Sequence, residues 1–343
     1  MLSRSSKERV GKLKPNTEDR ITKYLSMPNK GMLFDELSED YLEKAGVKDI
    51  LSGVPVPVLP GDDGELTTLT IMLNMAKIIG GDSNYPYQEQ YINYIKFVTD
   101  DDPEPVLLSF GAKEADAGNF LQACMLFRTI LLMFPKSRDA LFLYGRACKG
   151  AYEQEGMDEE FVGNFKAESL EVFELLTMLH EDFDMGYYFL GYAYANLGLY
   201  TKAKLTWDSF LQLHQLDDEM RQEIEERMEF LEEPLVIEEG CNKIMSGDYQ
   251  GGKEALEPYT EGRYENWWPL YYHLGIAEEG LGNVEKAIER FKKALSLTPS
   301  NIELMQELIK VYEQVGDSEN VKKYQNKIEI VSKNIASESN ENS

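Results

Sequence analysis

The sequence has few cysteines and no long apolar run. Cys124, Cys148 and Cys241 are odd in number and far apart, so neither a disulfide framework nor a zinc site of closely spaced cysteines is predicted. We expect them to be small buried groups of a protein in a reducing cytoplasm. No stretch approaches the roughly 18 apolar residues of a membrane span, and no apolar segment follows the basic N-terminus as in a secretory signal.

Positive charge is also scarce. The chain has 35 Lys and Arg against 61 Asp and Glu, a formal net charge of −26. The cations are concentrated at the start, because residues 1–30 hold eight against three acids, whereas residues 31–103 hold four against fourteen. An acidic surface repels phosphate backbones, so the composition disfavours nucleic acid as a partner.

Catalytic and cofactor motifs are missing as well. The sequence has no HExxH, no GxSxG, no phosphate-binding glycine loop and no EF-hand spacing. His180 and His214 fall near the ends of predicted helices, where a histidine more often makes a local hydrogen bond than binds a metal. We therefore predict no enzyme activity, no cofactor and no metal.

A repeated helical pattern is present, and it is clearest in residues 268–301. Apolar residues at spacings of three and four give a first helix one buried face: Tyr271, Leu274, Ala277, Leu281. A second helix has the same kind of face: Ala287, Phe291, Ala294, Leu297. It ends before Pro299, since proline cannot continue a helix. A turn at Gly282-Asn283 joins the two, so the stretch predicts a helical hairpin.

This pattern resembles a tetratricopeptide repeat, a helix–turn–helix unit of 34 residues with small and aromatic side chains at these offsets and a closing proline. The match departs at Glu278, where the family usually has tyrosine, and Tyr271 replaces its usual tryptophan. A single hairpin cannot bury its apolar face alone, so such units stack. The resemblance implies an all-α protein, a superhelical array of antiparallel helix pairs (an α-solenoid).

The same offsets recur along the chain. The position of Gly275 is also held by Gly111, Gly145, Gly191 and Gly240, and that of Phe291 by Phe127, Phe173, Trp207 and Leu256. We predict three repeats within residues 104–217, where an insert at about 155–163 forms a longer turn. A charged connector helix follows at 218–232, and three further repeats lie within 233–335.

The ends of the chain have no clear repeat. Residues 1–30 read as a basic, largely disordered arm, and residues 336–343 as a disordered tail. Residues 31–103 are predicted to be an N-terminal helical module that caps the array. Its expected helices are Leu33–Ala45, Glu65–Ile79 and Pro86–Val98. Alternating prolines make Val54–Pro60 an extended linker or strap.

In arrays of this family, the first helices of successive repeats line a concave groove where ligands bind. The resemblance places eight residues at groove-facing offsets: Phe142, Arg146, Lys149, Tyr188, Tyr192, Asn196, Tyr272, Ile276. This surface is aromatic and apolar, which suits an amphipathic helix or an extended apolar peptide. Phe142 and Arg146 stand where chaperone-binding relatives need lysine and asparagine, so a chaperone-tail receptor is disfavoured. Alternatively, the N-terminal strap and helices cover these aromatics.

We therefore expect a cytoplasmic protein-interaction scaffold or adaptor that binds a peptide or helix of a partner protein. No nucleic acid and no membrane span are expected. The alternative is a peptide-sensing regulator with an N-terminal effector module. A DNA-binding effector is disfavoured by the net charge of −10 in residues 31–103, since affinity for DNA comes largely from neutralised phosphates.

Overall fold

The computed structural model describes residues 19–58, 67–213 and 218–341. Within these ranges the chain forms 18 α-helices, three short 3-10 helices and one two-stranded sheet. Successive helices pair as hairpins, so the predicted α-solenoid is confirmed. The chain divides into two compact units, with the boundary between Arg221 and Gln222. In the described ranges no helix is both long enough and apolar enough to cross a membrane.

The first unit begins with short elements and then a pair of longer helices. A 3-10 helix, Met27–Asn29, follows the first α-helix. The elements of this part, in chain order, are α1 (Thr22–Leu25), β1 (Leu33–Glu36), α2 (Glu39–Ala45), α3 (Lys48–Leu51), β2 (Pro55–Val58), α4 (Thr68–Gly81) and α5 (Gln88–Val98). β1 and β2 pair antiparallel, with Leu33 opposite Val58 and Glu36 opposite Pro55.

Three helix pairs complete the first unit. They are α6 (Pro103–Asp116) with α7 (Phe120–Met133), α8 (Arg138–Tyr152) with α9 (Glu159–Leu179), and α10 (Asp184–Asn196) with α11 (Tyr200–Leu213). The next helix, α12 (Asp218–Glu229), contains the division between the units.

The second unit contains three further pairs. They are α13 (Glu232–Met245) with α14 (Tyr249–Leu256), α15 (Trp268–Gly280) with α16 (Val284–Leu297), and α17 (Ile302–Gln314) with α18 (Ser318–Glu341). Two 3-10 helices, Glu257–Thr260 and Gly262–Tyr264, lie between α14 and α15.

A contact between a glycine and a large side chain holds each of five pairs together. A Cβ atom added to Gly275 in α15 would lie 2.5 Å from the ring of Phe291 in α16, and one added to Gly191 would lie 2.2 Å from Trp207. Such distances are well inside van der Waals contact, so only glycine lets these helices approach. The same contact joins Gly111 to Phe127, Gly145 to Phe173 and Gly240 to Leu256. The predicted repeat register is therefore confirmed at these positions.

The helix predicted at Leu33–Ala45 is wrong in its first part. Leu33–Glu36 is the strand β1, and the helix begins only at Glu39, where the Ser38 hydroxyl accepts a hydrogen bond from the Tyr41 N–H at 3.4 Å. The extended conformation expected for Val54–Pro60 is found at Pro55–Val58, with residues 59–60 outside the described ranges. Val54 and Val56 of this segment are buried. The N-terminal module therefore contains a sheet as well as helices.

The insert at about 155–163 is not simply a longer turn. Its second part is helical, because α9 begins at Glu159 and the Asp158 carboxylate accepts a hydrogen bond from the Phe161 N–H at 2.7 Å. The extra residues lengthen α9 to 21 residues. Phe161 and Phe165 in this extension are buried, and that burial explains why the segment is helical instead of looped.

Two segments expected to be disordered contain regular structure. Residues 1–18 lie outside the described ranges, but residues 19–30 form α1 and a 3-10 helix in which Ile21 and Leu25 are fully buried. At the other end, α18 continues to Glu341, so most of residues 336–343 is helical. Local composition does not reveal the partners on which such segments fold.

Glu278, the departure from the tetratricopeptide pattern, is a buried acid held by two partners. Its carboxylate pairs with the Lys253 Nζ of α14 at 2.7 Å and accepts a hydrogen bond from the Asn283 side chain at 2.7 Å. Burial alone would raise the pKa of Glu278, but the bonds from Lys253 and Asn283 lower it. This ion pair joins two successive helix pairs in place of an aromatic contact.

Phe291→Ala should lower the free energy of unfolding by about 3–5 kcal/mol, because it removes a fully buried ring and leaves a cavity. Urea titration followed by circular dichroism measures the loss. Ile330→Ala is the matched control, since Ile330 lies on α18 and is 59% exposed. A loss well under 1 kcal/mol in Phe291→Ala would contradict the contact between α15 and α16.

Lys253→Met should lower the free energy of unfolding by about 3 kcal/mol at neutral pH, because it leaves the Glu278 carboxylate buried without a cation. The pKa of Glu278 is lower in the folded protein than in the unfolded chain, where a glutamate has a pKa of about 4.3. The wild type therefore gains stability from this carboxylate above the unfolded-state pKa, and it loses that stability as the pH falls through the folded-state pKa. The difference in unfolding free energy between the two proteins should therefore be largest near pH 7 and shrink below pH ~4. A difference independent of pH would contradict the role of this pair.

Candidate functional site

A set of aromatic rings packs together on the first helices α8 and α10 and on the residue that precedes α10. We call it the aromatic face, and it comprises Phe142, Phe183, Tyr188, Phe189 and Tyr192. Phe142 meets Phe183 and Phe189 edge to face at centroid distances of 5.2 and 5.6 Å. Tyr188 meets Phe189 and Tyr192 at 5.1 Å each. All five rings are only partly buried.

The second helices support this face from beneath. Phe189 stacks on Phe173 of α9 at 5.6 Å, and Tyr192 lies edge-on to Trp207 of α11 at 5.0 Å. Phe173 and Trp207 are the buried rings that also contact Gly145 and Gly191. The aromatic face is therefore fixed to the same contacts that define the repeats.

Arg146 lies over two of these rings. Its guanidinium carbon is 5.6 Å from the centroid of Phe142 and 5.5 Å from that of Phe189, within the range of cation–π attraction. The side chain is exposed, and no ion pair joins Arg146 to an acid in the described ranges. The rings thus hold a cation in place while its hydrogen-bond donors face solvent.

Lys149 and Asn196, the other predicted residues of this unit, have partners within the protein. Lys149 forms an ion pair with Glu153 one helical turn later. Asn196 is exposed and lies near the hydroxyl of Tyr152, whose pKa burial raises to about 12. Six of the eight predicted residues therefore lie on α8 and α10 of the first unit.

Tyr272 and Ile276 belong to the second unit and are described separately. The Tyr272 hydroxyl donates to the Glu303 carboxylate at 3.2 Å, and its ring lies 6.2 Å from Phe291. Burial and the negative charge of Glu303 raise the pKa of Tyr272 to about 12. Ile276 is half-buried against the apolar clusters of its unit.

Phe183 and Phe189 are not among the residues predicted from the sequence. Phe183 is the residue before α10, outside the helix, and Phe189 follows Tyr188 directly. Repeat offsets mark only the groove-facing positions of a first helix, so neither residue was selected. The contacts of both with Phe142 could not be read from spacing alone, because they join different helix pairs.

The N-terminal segment, residues 19–29, lies against the second helices α7 and α9. Tyr24 packs edge to face on Phe161 at 4.9 Å and lies 5.9 Å from Phe165. The strand β2 contacts α4 and α5 instead, where the Asn74 amide donates to the Pro57 carbonyl at 3.3 Å and the Tyr91 hydroxyl donates to the Pro55 carbonyl at 2.7 Å. The described contacts of both segments therefore lie on helices other than α8 and α10.

A buried charge network fixes the N-terminal segment. Arg128 of α7 pairs with Asp19 and donates to the Tyr144 hydroxyl at 3.3 Å, and that hydroxyl donates to Glu168 of α9 at 2.7 Å. Burial alone would raise the pKa of Asp19, but the charge of Arg128 lowers it. Burial raises the pKa of Glu168 by more than Arg128 and Tyr144 lower it.

The histidines make local hydrogen bonds. His180 Nε2 lies 2.9 Å from the Lys136 carbonyl and His273 Nδ1 lies 2.8 Å from the Pro269 carbonyl, while His214 lies outside the described ranges. Among the residues that the structure describes, no three His, Cys, Asp or Glu side chains are grouped as metal ligands.

Comparison with known proteins agrees with the repeat pattern. The family model described as tetratricopeptide repeat matches residues 268–301, which confirms the resemblance for that stretch. No curated protein sequence matches the chain significantly.

Solved structures of other helical repeat proteins are similar at low identity. A MamA fragment from Desulfovibrio magneticus RS-1 is 19% identical, with 55% of this chain and 96% of that one covered and a TM-score of 0.32. The P58(IPK) TPR domain is also 19% identical, with 65% and 59% covered and a TM-score of 0.40. Similarity at this level gives no information about a shared ligand.

Arg128→Met should release the N-terminal segment, because Asp19 and Glu168 lose their shared cation. Hydrogen exchange with mass spectrometry should show faster exchange for the amides of residues 21–26. Lys23→Met is the control, since the Lys23–Glu160 pair is exposed and such pairs contribute little. Equal exchange in Arg128→Met and wild type would contradict the anchoring role of the network.

Proposed function

We propose that this chain, which carries a tetratricopeptide repeat within an α-solenoid, is a protein-interaction scaffold or adaptor. Its ligand is a peptide or helix of a partner protein that binds to the aromatic face and to the flanking Arg146, Lys149 and Asn196. The observation that carries the proposal is the row of partly exposed rings on α8 and α10, fixed from beneath by Phe173 and Trp207.

Affinity would come from burial of the partner's apolar side chains between rings that are already ordered. Each Å² of apolar surface removed from water contributes about 25 cal/mol. Aromatic side chains have few rotatable bonds, and mutual edge-to-face packing restricts Phe142, Tyr188 and Tyr192 further. The ordering cost that binding otherwise carries is therefore low on this surface.

Arg146 would select the register of the ligand. Its guanidinium is held over Phe142 and Phe189 with its donors toward solvent, and a guanidinium binds a carboxylate through two parallel hydrogen bonds. We therefore propose a ligand segment in which an acidic residue lies next to an apolar one. Nearby Lys149 adds positive charge, although Glu153 partly neutralises it.

Tyr272 and Ile276 would form a separate contact surface on the second unit. We also propose that the N-terminal module, residues 31–103, caps the first repeat of 104–217. The Thr129 hydroxyl of α7 donates to the Ala76 carbonyl of α4 at 2.6 Å, and a Cβ atom added to Gly80 would lie 1.8 Å from the Met125 carbonyl oxygen. This close helix contact supports the capping role.

A cytoplasmic location is part of the proposal. Cys124, Cys148 and Cys241 are free thiols in the structure, and the first two are fully or nearly fully buried with sulfur atoms 3.8 Å apart. Cysteines that are few and far apart in the sequence suit a reducing compartment.

Tyr188→Ala with Tyr192→Ala should abolish recovery of the partner in a pull-down from the native cell, read by mass spectrometry, because two ligand-facing rings are lost. Tyr188→Phe with Tyr192→Phe should retain it. Tyr187→Ala is the control on the same helix, since the Tyr187 hydroxyl donates to the Glu181 carbonyl at 3.2 Å instead of joining the aromatic face.

Circular dichroism must show that the double alanine variant keeps its helices, because Tyr188 and Tyr192 also contact Phe210 and Trp207. Unchanged recovery of the partner by a folded double variant would disprove the assignment of the ligand to this face.

A further inference from the structure

The two-stranded sheet of the N-terminal module has two different edges. β2 contacts α4 on one side and pairs with β1 on the other. In an antiparallel pair, alternate residues direct their backbone N–H and C=O groups to the partner strand and the others to the outer edge. The positions of the prolines in β2 determine which residues face β1 and which face the outer edge.

Pro55 and Pro57 face the outer edge of β2. Proline has no N–H to donate to β1, so the hydrogen-bonded pairs of the register are Leu33 with Val58 and Asp35 with Val56. The carbonyls of the two prolines accept hydrogen bonds from Tyr91 and Asn74, at 2.7 and 3.3 Å. The outer edge of β2 therefore offers no donor at either proline, and side chains of α4 and α5 occupy its acceptors.

β1 consequently directs the backbone groups of Phe34 and Glu36 away from β2. The Glu36 N–H donates to the Asp35 carboxylate at 2.9 Å. Outside the ladder between β1 and β2, no hydrogen bond of the Phe34 N–H or C=O is found among the described residues. Leu33 and Phe34 are 61% and 45% exposed, so this edge combines unpaired backbone groups with apolar side chains. Proteins usually protect such an edge.

The charge around β1 limits what can pair with it. Asp35, Glu36, Glu39 and Asp40 lie within six residues, and of these only Glu39 has an ion-pair partner in the described ranges, Lys48 at 3.1 Å. A second copy of β1 would place these acids against one another, which costs free energy. A basic strand would complement them.

We propose that the outer edge of β1 binds an extended, basic segment of a partner protein by strand addition. The segment's backbone would pair with Phe34 and with the Glu36 carbonyl. Its lysines or arginines would lie on the face of the strand that carries Glu36, and its apolar residues on the opposite face, with Leu33. An α-helical ligand does not fit, because its backbone donors and acceptors are already used within the helix. This site is independent of the aromatic face.

The test uses the full chain and a fluorescent, acetylated hexapeptide in which valine and lysine alternate. Fluorescence anisotropy at low salt should detect saturable binding. A second peptide of equal charge, with proline in place of each valine, should bind at least tenfold more weakly, because it lacks half of the backbone donors and cannot form a regular strand. Equal binding of the two peptides would show charge attraction alone and overturn the proposal, as would no binding of the first.

Phe34→Pro is the decisive variant. It removes the outward N–H without removing a hydrogen bond between β1 and β2, so the protein should stay folded and bind the valine–lysine peptide at least tenfold more weakly. Phe34→Leu keeps the N–H and should bind within about twofold of wild type, which separates the backbone contribution from the loss of the ring. Hydrogen exchange at Val56 and Val58 reports whether the ladder between β1 and β2 remains.

Glu36→Lys should also weaken binding at least tenfold through repulsion. Equal affinity of Phe34→Pro and Phe34→Leu, with the ladder intact, would overturn strand addition. If Phe34→Pro disturbs the ladder, the comparison of the two peptides on the wild-type protein still decides the question.

Discussion

The contact between a glycine in one helix and a large buried side chain in the next is the constraint on which the repeats depend. At Gly275 and Gly191 no Cβ atom fits, because Phe291 and Trp207 occupy the space. The contact therefore fixes both the distance between the two helices and the register in which they pack. In the first unit this packing brings Phe142, at a groove-facing offset of one first helix, against Phe189 of the next helix pair.

The second repeat shows how firmly this contact is kept. Its glycine and ring are Gly145 and Phe173, further apart in sequence than the equivalent residues elsewhere, yet they touch in the same way. The additional residues extend α9 at its start and bring Phe161 and Phe165 against Tyr24. The insert thus provides a surface on which the N-terminal segment folds. Because this surface belongs to second helices, the segment's described contacts do not involve the aromatic rings on α8 and α10.

The repeat register could be predicted from the sequence because it depends on short, regular spacings of small and large residues, as at Gly275 and Phe291. The strand β1 could not, since Leu33–Ala45 has a spacing compatible with a helix and its pairing partner, β2, lies more than a dozen residues away. The pairing of Asp19 with Arg128 could not be predicted for the same reason, because the two residues are 109 positions apart. In the candidate site, repeat offsets identified Phe142 and Tyr188 but not the rings between them, because those contacts join different helix pairs.

The cations of this acidic chain differ in what holds them. With 35 Lys and Arg against 61 Asp and Glu, every cation has acids available, and Arg128, Lys77 and Lys253 each join two elements through an acid at least partly buried. Arg146 differs, because aromatic rings and not a carboxylate hold it. On β1 the charges without an ion-pair partner are acidic, because no cation pairs with Asp35 or Glu36 among the described residues. The ligands proposed for the two surfaces therefore differ in charge: an acidic residue would pair with Arg146, whereas a basic segment would pair with β1.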